Sequence, residues 1–511
     1  MTLRAGAATL GVIAGCLSAC ASAPPMEPLP ALVDDAWTRE AGPDAVAQRA
    51  DWWRELNDPV LDALIVRAVQ SSPSLQSAAA RIAQAQGQMR SSGASRGPQL
   101  GAGGGINVLR LPPAVAERVD NIDPTIVFDS LQLQSSWELD FWGGAQNAAR
   151  ADAFAYLSAQ QAYNAALVSL IGQLASAYID FRTNQARLVL AKADAEGRAD
   201  SLRLADARYR HGATDASDPA QARLAAAQQE AAVAALVLAV EQGRHAIALL
   251  AGTTDAEIAP LLADTAPIPI VPAPPDAGVP NDLLRARPDV LQAELAARSQ
   301  YARLSSARAN LYPSFTLSGS VGLSGNTIGN GSLLDIFDWS GRTVSSGLSF
   351  VLPLFQRDRI VGQIEAQDAG FEQALQTYVQ AVLAAQRDVG DALAQYDATR
   401  ATVAALTVAT QESARLLRLA RDRYEDGAGT RQDILNAGFN DTATRDALLQ
   451  MQGNAAIAYV TLNRSLGLGA QAQDLPPPLS PETSDRMRAR TNWGDRLDKL
   501  DGTANREEPE Q

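Results

Sequence analysis

Two hydrophobic periods alternate along this chain. Leu131, Leu133, Trp137, Leu139 and Phe141 alternate with Gln132, Gln134, Ser136, Glu138 and Asp140. That is a strand with one apolar and one polar face. A weaker version begins at Leu100, where Leu100, Ala102, Gly104, Ile106 and Val108 share a face and Gln99 and Asn107 fall on the other. Further on, Phe315, Leu317, Gly319, Val321 and Leu323 alternate with Thr316, Ser318, Ser320 and Ser324. Last, Val344, Leu348, Phe350 and Leu352 alternate with Ser345, Gly347 and Ser349. Four amphipathic strands are therefore expected, at about 98–109, 127–142, 313–324 and 343–354.

Between and around them the period is helical. Asp58-Pro59 opens a helix as N-cap and first-turn proline, and the pattern continues to about Ser95 before Gly97-Pro98 stops it. From about Ala145 to Arg210 there is no proline, and small residues such as Ala148, Ala149, Ala153 and Ala155 fill the apolar positions. Such a helix would be roughly 100 Å long, too long for one globular core, so it has to lie beside other long helices. Asp218-Pro219 restarts a helix to about Leu250. The second half repeats the order, with helices from Pro288 to about Leu311, Asp358 to Arg423 and Asp433 to Leu466.

The repetition has a constant offset. Arg208-Tyr209-Arg210-His211-Gly212-Ala213, followed by Asp218 and Ala222, returns 215 residues later as Arg423-Tyr424-Glu425-Asp426-Gly427-Ala428, followed by Asp433 and Ala437. The same offset maps Pro73 to Pro288, Pro98 to Pro313, Tyr163 to Tyr378, Leu202 to Leu417 and Gly252 to Gly467. A fixed offset held over this length marks a duplicated unit. In each copy the glycine ends one helix and the aspartate is expected to cap the next, making the tip of a helical hairpin.

The ends of the chain add a destination. Arg4 precedes an apolar run from Ala5 to Ala14, which is short for a membrane span and fits a signal peptide over 1–19. It closes in Leu17-Ser18-Ala19-Cys20, the context of a lipidated cysteine, with Ile13-Ala14-Gly15-Cys16 as a looser competitor. Cys20 is favoured because the proline-rich tether (Pro24, Pro25, Pro28, Pro30) starts just behind it. The parts expected are a tether over 20–56, a first repeat over 57–252, a connector over 253–285, a second repeat over 286–469 and a disordered tail over 470–511. A net charge of −14 argues against nucleic acid as a partner. Beyond the signal no long apolar stretch stands out, so membrane entry is expected through strands.

Four strands of about ten residues suit a membrane barrel but cannot close one. An open edge in lipid leaves backbone groups unpaired at several kcal/mol each, so the chain has to oligomerise. Trp137, Phe141, Trp142, Tyr312, Phe315, Phe350 and Phe355 cluster near the strand ends that adjoin helices, where an aromatic girdle would sit. The competing reading of the strands is a soluble sandwich.

The chain resembles the TolC/OprM-like outer-membrane efflux factors, in their lipoprotein (NodT-type) branch. The residues that carry the resemblance are Trp52-Trp53 with Asp58-Pro59, Leu284-Arg285-Ala286-Arg287-Pro288-Asp289-Val290, Ala307-Arg308-Ala309-Asn310-Leu311-Tyr312-Pro313 and Leu352-Pro353-Leu354-Phe355. The resemblance implies an α+β membrane protein: a homotrimer whose twelve-stranded β-barrel, four strands per protomer, is continued by a long α-helical periplasmic tunnel. It also implies a periplasmic adaptor (membrane fusion) protein, an inner-membrane pump of the resistance-nodulation-division type, and contact with outer-membrane lipid. A type I protein-secretion outlet uses the same family fold and is the alternative.

Catalytic and metal motifs are not evident in the sequence. His211 and His245 lack a ligand pattern around them, and no phosphate-binding glycine loop precedes a helix. No cofactor or metal is expected, and an enzyme is the less favoured class. By the resemblance, Tyr209, Gly212, Tyr424 and Gly427 sit at adaptor-contacting tips, Asp433 rings the entrance, and Asp218 and Tyr424 occupy linking positions of a closed gate. The pattern departs from the family where Gly429 and Asn436 replace an arginine and a second aspartate, and Arg431 is a candidate substitute cation. The alternative is that Asp218 and Asp433 are helix caps only.

Overall fold

The structure, a computed structural model, describes residues 51–112, 124–272, 286–328, 331–470 and 475–490. Cys16, Cys20 and most of the expected tether lie outside the described residues. In order, the elements are α1 (Pro59–Ser71), α2 (Pro73–Ala94), β1 (Gln99–Arg110), β2 (Thr125–Leu139), α3 (Gly144–Arg210) and α4 (Ser217–Leu250). They continue as α5 (Asp255–Leu262), α6 (Pro288–Ala309), β3 (Ser314–Asn326), β4 (Arg342–Val351), α7 (Arg357–Glu425), α8 (Arg431–Ser465) and α9 (Pro481–Arg490).

The start of α1 follows from its sequence. The Asp58 carboxylate accepts hydrogen bonds from the backbone N–H of Val60 (2.9 Å) and Leu61 (3.2 Å), and Pro59 takes the first position, where no N–H is needed. One continuous helix to Ser95 is not what forms. Ser72 is extended (φ −61°, ψ 120°) and separates α1 from α2. Pro73 is the reason: its ring crowds the preceding residue out of the helical region.

The chain divides into two compact units, and the division falls inside α2, α3, α6 and α7. The first unit, described within 84–158 and 294–377, holds the strands in one antiparallel sheet of order β1-β2-β3-β4. Its aromatic residues meet near the helix-joined strand ends. Trp142 stacks on Tyr312 with ring centroids 4.7 Å apart and donates its indole N–H to the Pro313 carbonyl at 2.8 Å. Phe315 packs edge-on against Phe141 at 5.4 Å and lies 6.3 Å from Phe350.

The second unit, described within 51–83, 159–293 and 378–490, holds the main apolar core. Leu61, Leu64, Ile65, Leu75, Leu174, Tyr178 and Ile179 are fully buried there. Trp52 and Trp53, expected at the end of a tether, form a short 3-10 turn and are buried in this core. The Tyr178 hydroxyl donates to Asp58 at 2.6 Å and accepts from the buried Arg182 at 3.0 Å. Burial, then the bond to Asp58, pushes the Tyr178 hydroxyl above its ordinary pKa. Arg182 also donates to the Asp264 carbonyl at 2.5 Å, so the first part of the connector is fixed to α3. The tail departs from the expected disorder over 481–490: α9 forms, Leu479 is buried, and Ser480 N–H bonds Gln76 at 3.1 Å.

The duplication is visible as matched helix ends. Gly212 and Gly427 (φ 71° and 73°) end α3 and α7, and Gly252 and Gly467 (φ 65° and 73°) end α4 and α8. Each sits in a two-bond left-handed cap; at the second tip, Gly427 N–H reaches the Tyr424 carbonyl at 3.1 Å and Ala428 N–H reaches Arg423 at 2.8 Å. The halves are tied by a two-pronged Arg187–Asp446 pair at 2.8 and 3.0 Å and by Arg198 over the Phe439 ring at 4.4 Å. By length and composition alone, α3 and α4 each contain an 18-residue window apolar enough to cross a membrane, which corrects the expectation that none existed. In α4 that window is only 11% buried in the single chain.

Candidate functional site

Cross-strand register turns the alternation within each strand into rows across the sheet. Ala102 pairs with Leu133, Leu133 with Val321, and Val321 with Val344, so one row is apolar over all four strands. The adjacent row is Gly101, Gln134, Ser320 and Ser345, and the last two hydroxyls lie 2.8 Å apart. Because side chains alternate in strands, these rows point to opposite faces.

Neither face behaves as the inside of a soluble sandwich. Every residue of β4 is exposed, and so is nearly all of β1. Leu133, Val321, Val344 and Leu348 are 54%, 56%, 73% and 65% exposed, which no packed sandwich core would leave. The outer strands β1 and β4 each present an unpaired edge. An apolar face, a polar face and two open edges describe an arc of a barrel wall.

The helical tips differ from their sequence expectation in a specific way. Asp218 does not cap α4. The N-cap position is Ala216, without a side-chain bond, and Asp215 just before it accepts from Ser217 N–H at 2.8 Å and from the Ser217 hydroxyl. Those two bonds, the hydroxyl first, hold the Asp215 carboxyl below the ordinary range. Asp218 is the second residue of α4 and lies 3.6 Å from Arg208 of its own hairpin. Nor is Asp433 the N-cap of α8. Thr430 is the N-cap, accepting from Asp433 N–H at 3.2 Å. Asp433 returns the bond, accepting from Thr430 N–H at 2.8 Å and from its hydroxyl at 2.7 Å. This reciprocal pair is a capping box, readable in hindsight from Thr430-x-x-Asp433. The Thr430 hydroxyl, then its N–H, holds the Asp433 carboxyl below its usual range.

Tyr209 and Tyr424 are about half exposed at the two tips. Gly212 and Gly427 have open space around them. Among the described residues no hydrogen bond joins Tyr424 to Asp218, and Arg431 has no ion-pair partner. Asn436 accepts from the Gln432 amide at 3.1 Å. No group of three or more His, Cys, Asp or Glu side chains able to hold a metal ion occurs among the described residues.

Comparison with known proteins places these features. The family model described as "Outer membrane efflux protein" matches residues 64–253 and 279–468, two segments whose starts and ends are both 215 residues apart. The outer membrane protein OprJ of Pseudomonas aeruginosa is 29% identical over 467 residues, which is 90% of this chain and 95% of that protein. The pyoverdine export outer membrane protein OpmQ of Pseudomonas putida is 30% identical over 430 residues, 82% of this chain and 88% of its own length. Among solved structures, the outer membrane protein VceC of Vibrio cholerae superimposes with a TM-score of 0.73 at 26% identity, covering 83% of this chain and 99% of that one.

Proposed function

The chain belongs to the outer membrane efflux protein family, and from that premise we propose how its own residues make it the passive outer-membrane conduit of a tripartite efflux system. The observation that carries the reading is the sheet: one apolar face, one polar face, and two edges without partners. In the homotrimer, β1 of one protomer closes on β4 of the next and no edge meets lipid. The row of Leu133, Val321 and Val344 then faces lipid, and the row of Gln134, Ser320 and Ser345 lines the lumen. The poorly buried apolar window of α4 is covered by neighbouring helices in the same assembly.

The energy for this path comes from the inner-membrane pump, through the periplasmic adaptor docked at the tips. Cargo is a small toxic or amphiphilic compound. One relative is named for pyoverdine export, so the shared wall serves different cargo, and selection belongs largely to the pump. Cys20 carries a lipid that adds a second tether to the barrel's own anchorage; the mature protein should then begin at Cys20 with acyl chains, as intact mass reads directly. At the entrance Asp433 places a carboxylate on each protomer, charged at neutral pH as any solvated aspartate is. Asp218 and Tyr424 complete the gate.

The test is conductance of the purified trimer in a planar bilayer. Discrete ohmic steps without nucleotide or ion gradient are expected, with cation preference reduced by Asp433→Ala. A protein that inserts and gives no steps, or whose selectivity ignores Asp433, contradicts the reading.

A further inference from the structure

One buried carboxylate near the end of the sheet has an oxygen without a partner among the described residues. Asp129 of β2 stands opposite Ile106 of β1 and Gly325 of β3, on the same face as Leu131 and Leu133. It is 9% exposed, and its Oδ1 has no hydrogen-bond partner among the described residues. Unpaired buried carboxylates are costly, so native proteins rarely keep one without a compensating positive group.

The burial comes from the turn at 332–341. Ser332 and Asp335 form a capping box on the 3-10 turn Leu333–Phe337, with Ser332 N–H donating to Asp335 at 2.8 Å. The carbonyls of Ser332 and Leu333 lie against Gly325 of β3. A Cβ placed on Gly325 would lie 2.5 Å from Asp129 Oδ1, 3.0 Å from the Ser332 carbonyl oxygen and 3.1 Å from that of Leu333. Three oxygens thus lie around one glycine; the Ser332 carbonyl also accepts the Asp335 N–H at 3.0 Å and keeps its second lone pair. Arg342, the cation of the same turn, is engaged elsewhere, donating to the Trp339 carbonyl at 3.0 Å and covering its ring at 5.3 Å.

We propose that Asp129 and the carbonyls of Ser332 and Leu333 hold a hard divalent cation of the calcium type. The donor set is all oxygen, one carboxylate and two carbonyls, with no nitrogen or sulfur to favour a transition metal. Calcium accepts such irregular sets and completes its shell with water, whereas magnesium demands near-octahedral geometry. A single carboxylate implies a weak site, with a dissociation constant of about 10⁻⁴ to 10⁻³ M, as in extracellular modules. The strand ends that carry this turn are those not joined to helices, so it faces the exterior, where that affinity is useful. The orientation rests on the channel reading; the chemistry of the site does not. Bound cation pins the β3–β4 turn to β2 and β3. Gly325 is needed because a Cβ there would crowd Asp129 Oδ1 and both carbonyl oxygens away from the cation.

The test uses detergent-purified trimer, freed of lipopolysaccharide and stripped with EDTA, under limited chymotrypsin digestion at pH 7.5 with 0–10 mM calcium chloride or magnesium chloride added (roughly the range spanned by weak extracellular sites). Phe337 and Trp339 are exposed cleavage points in the turn, read by mass spectrometry. Calcium at ten times its half-saturating concentration should slow cleavage there about tenfold. Asp129→Asn, which keeps the shape and loses the charge, and Gly325→Ala, which keeps the charge and fills the space, should both abolish the calcium effect while remaining trimeric on gel filtration. Calcium-independent cleavage of the wild type overturns the proposal, as does a calcium effect that survives in both variants. Cleavage that varies with pH but ignores calcium also overturns it, and assigns a proton to Asp129 instead. The readout is confined to this turn, so a protein that fails to conduct leaves the result standing.

Discussion

Replacing Leu133 by arginine tests the facing of the barrel wall. Leu133 lies near the middle of β2, in the row formed with Ala102, Val321 and Val344, and is more than half exposed in the single chain. In the trimer that exposure becomes contact with lipid close to the bilayer midplane. Arginine at such a position costs about 2–4 kcal/mol. The trimer repeats it three times, giving roughly 6–12 kcal/mol, comparable with the roughly 5–15 kcal/mol that holds a whole domain together. Leu133→Arg should therefore abolish the heat-resistant trimer in the outer-membrane fraction on unboiled gels. Gln134→Arg, one residue away in the row of Gly101, Ser320 and Ser345, points into water and should assemble normally with altered single-channel conductance. Val321→Arg and Val344→Arg should fail as Leu133→Arg does. Equal trimer yield for Leu133→Arg and Gln134→Arg would refute the assignment of faces.

Four further outcomes are expected. Gly427→Ala should cost about 1–2 kcal/mol through its left-handed backbone alone, while Gly252→Ala should cost more, because its Cβ would also meet the Ser71 carbonyl oxygen at 2.4 Å; the ranking of trimer melting temperatures decides it. Arg287→Ala should remove about 1–3 kcal/mol, since the buried Ser465 carbonyl loses its donor at 2.5 Å while Asp289, bonded at 2.7 Å, is half exposed and returns to water, and the melting temperature should drop accordingly. The Asp433 carboxyl titrates lower when folded than unfolded, so its capping is intact above the unfolded value of about 4 and is lost as pH falls through the folded value; rate-corrected protection of the 431–434 amides should hold down to about pH 4 and fall below it, and not in Thr430→Ala. Tyr424→Phe combined with Asp218→Ala should raise conductance in the bilayer, and unchanged conductance would leave both residues as surface groups of the tips.

What could be read from the sequence follows from which interactions are periodic. Leu131 to Phe141 announces its strand because lipid and water select alternate residues, but the structure runs it over Thr125–Leu139, beginning two residues before the expected 127 and leaving Phe141 in the turn that follows. The hairpin tips were legible because left-handed caps need glycine, and Gly212 and Gly427 keep it at a constant offset. The caps themselves were misassigned. Asp218 and Asp433 look like N-caps by type, but one lies past the N-cap Ala216 and the other serves as third-position partner to Thr430. The break at Ser72 was hidden because the apolar pattern of α1 runs into that of α2, and only the steric effect of Pro73 interrupts it. Trp52, Trp53 and Leu479 gave no sign of burial, since their partners are far away in the chain. The oxygen cluster around Asp129 was beyond reach for another reason: two of its three donors are backbone carbonyls, which no residue type encodes.

The central claim, a conduit that serves a pump, is tested most directly in cells. Accumulation of a fluorescent efflux substrate would be followed in the source strain with its adaptor and pump intact and this protein deleted. The account predicts accumulation as high as in a strain lacking the pump itself, restored to low levels by the wild-type chain and not by Leu133→Arg. Export that continues unchanged without this protein would contradict it.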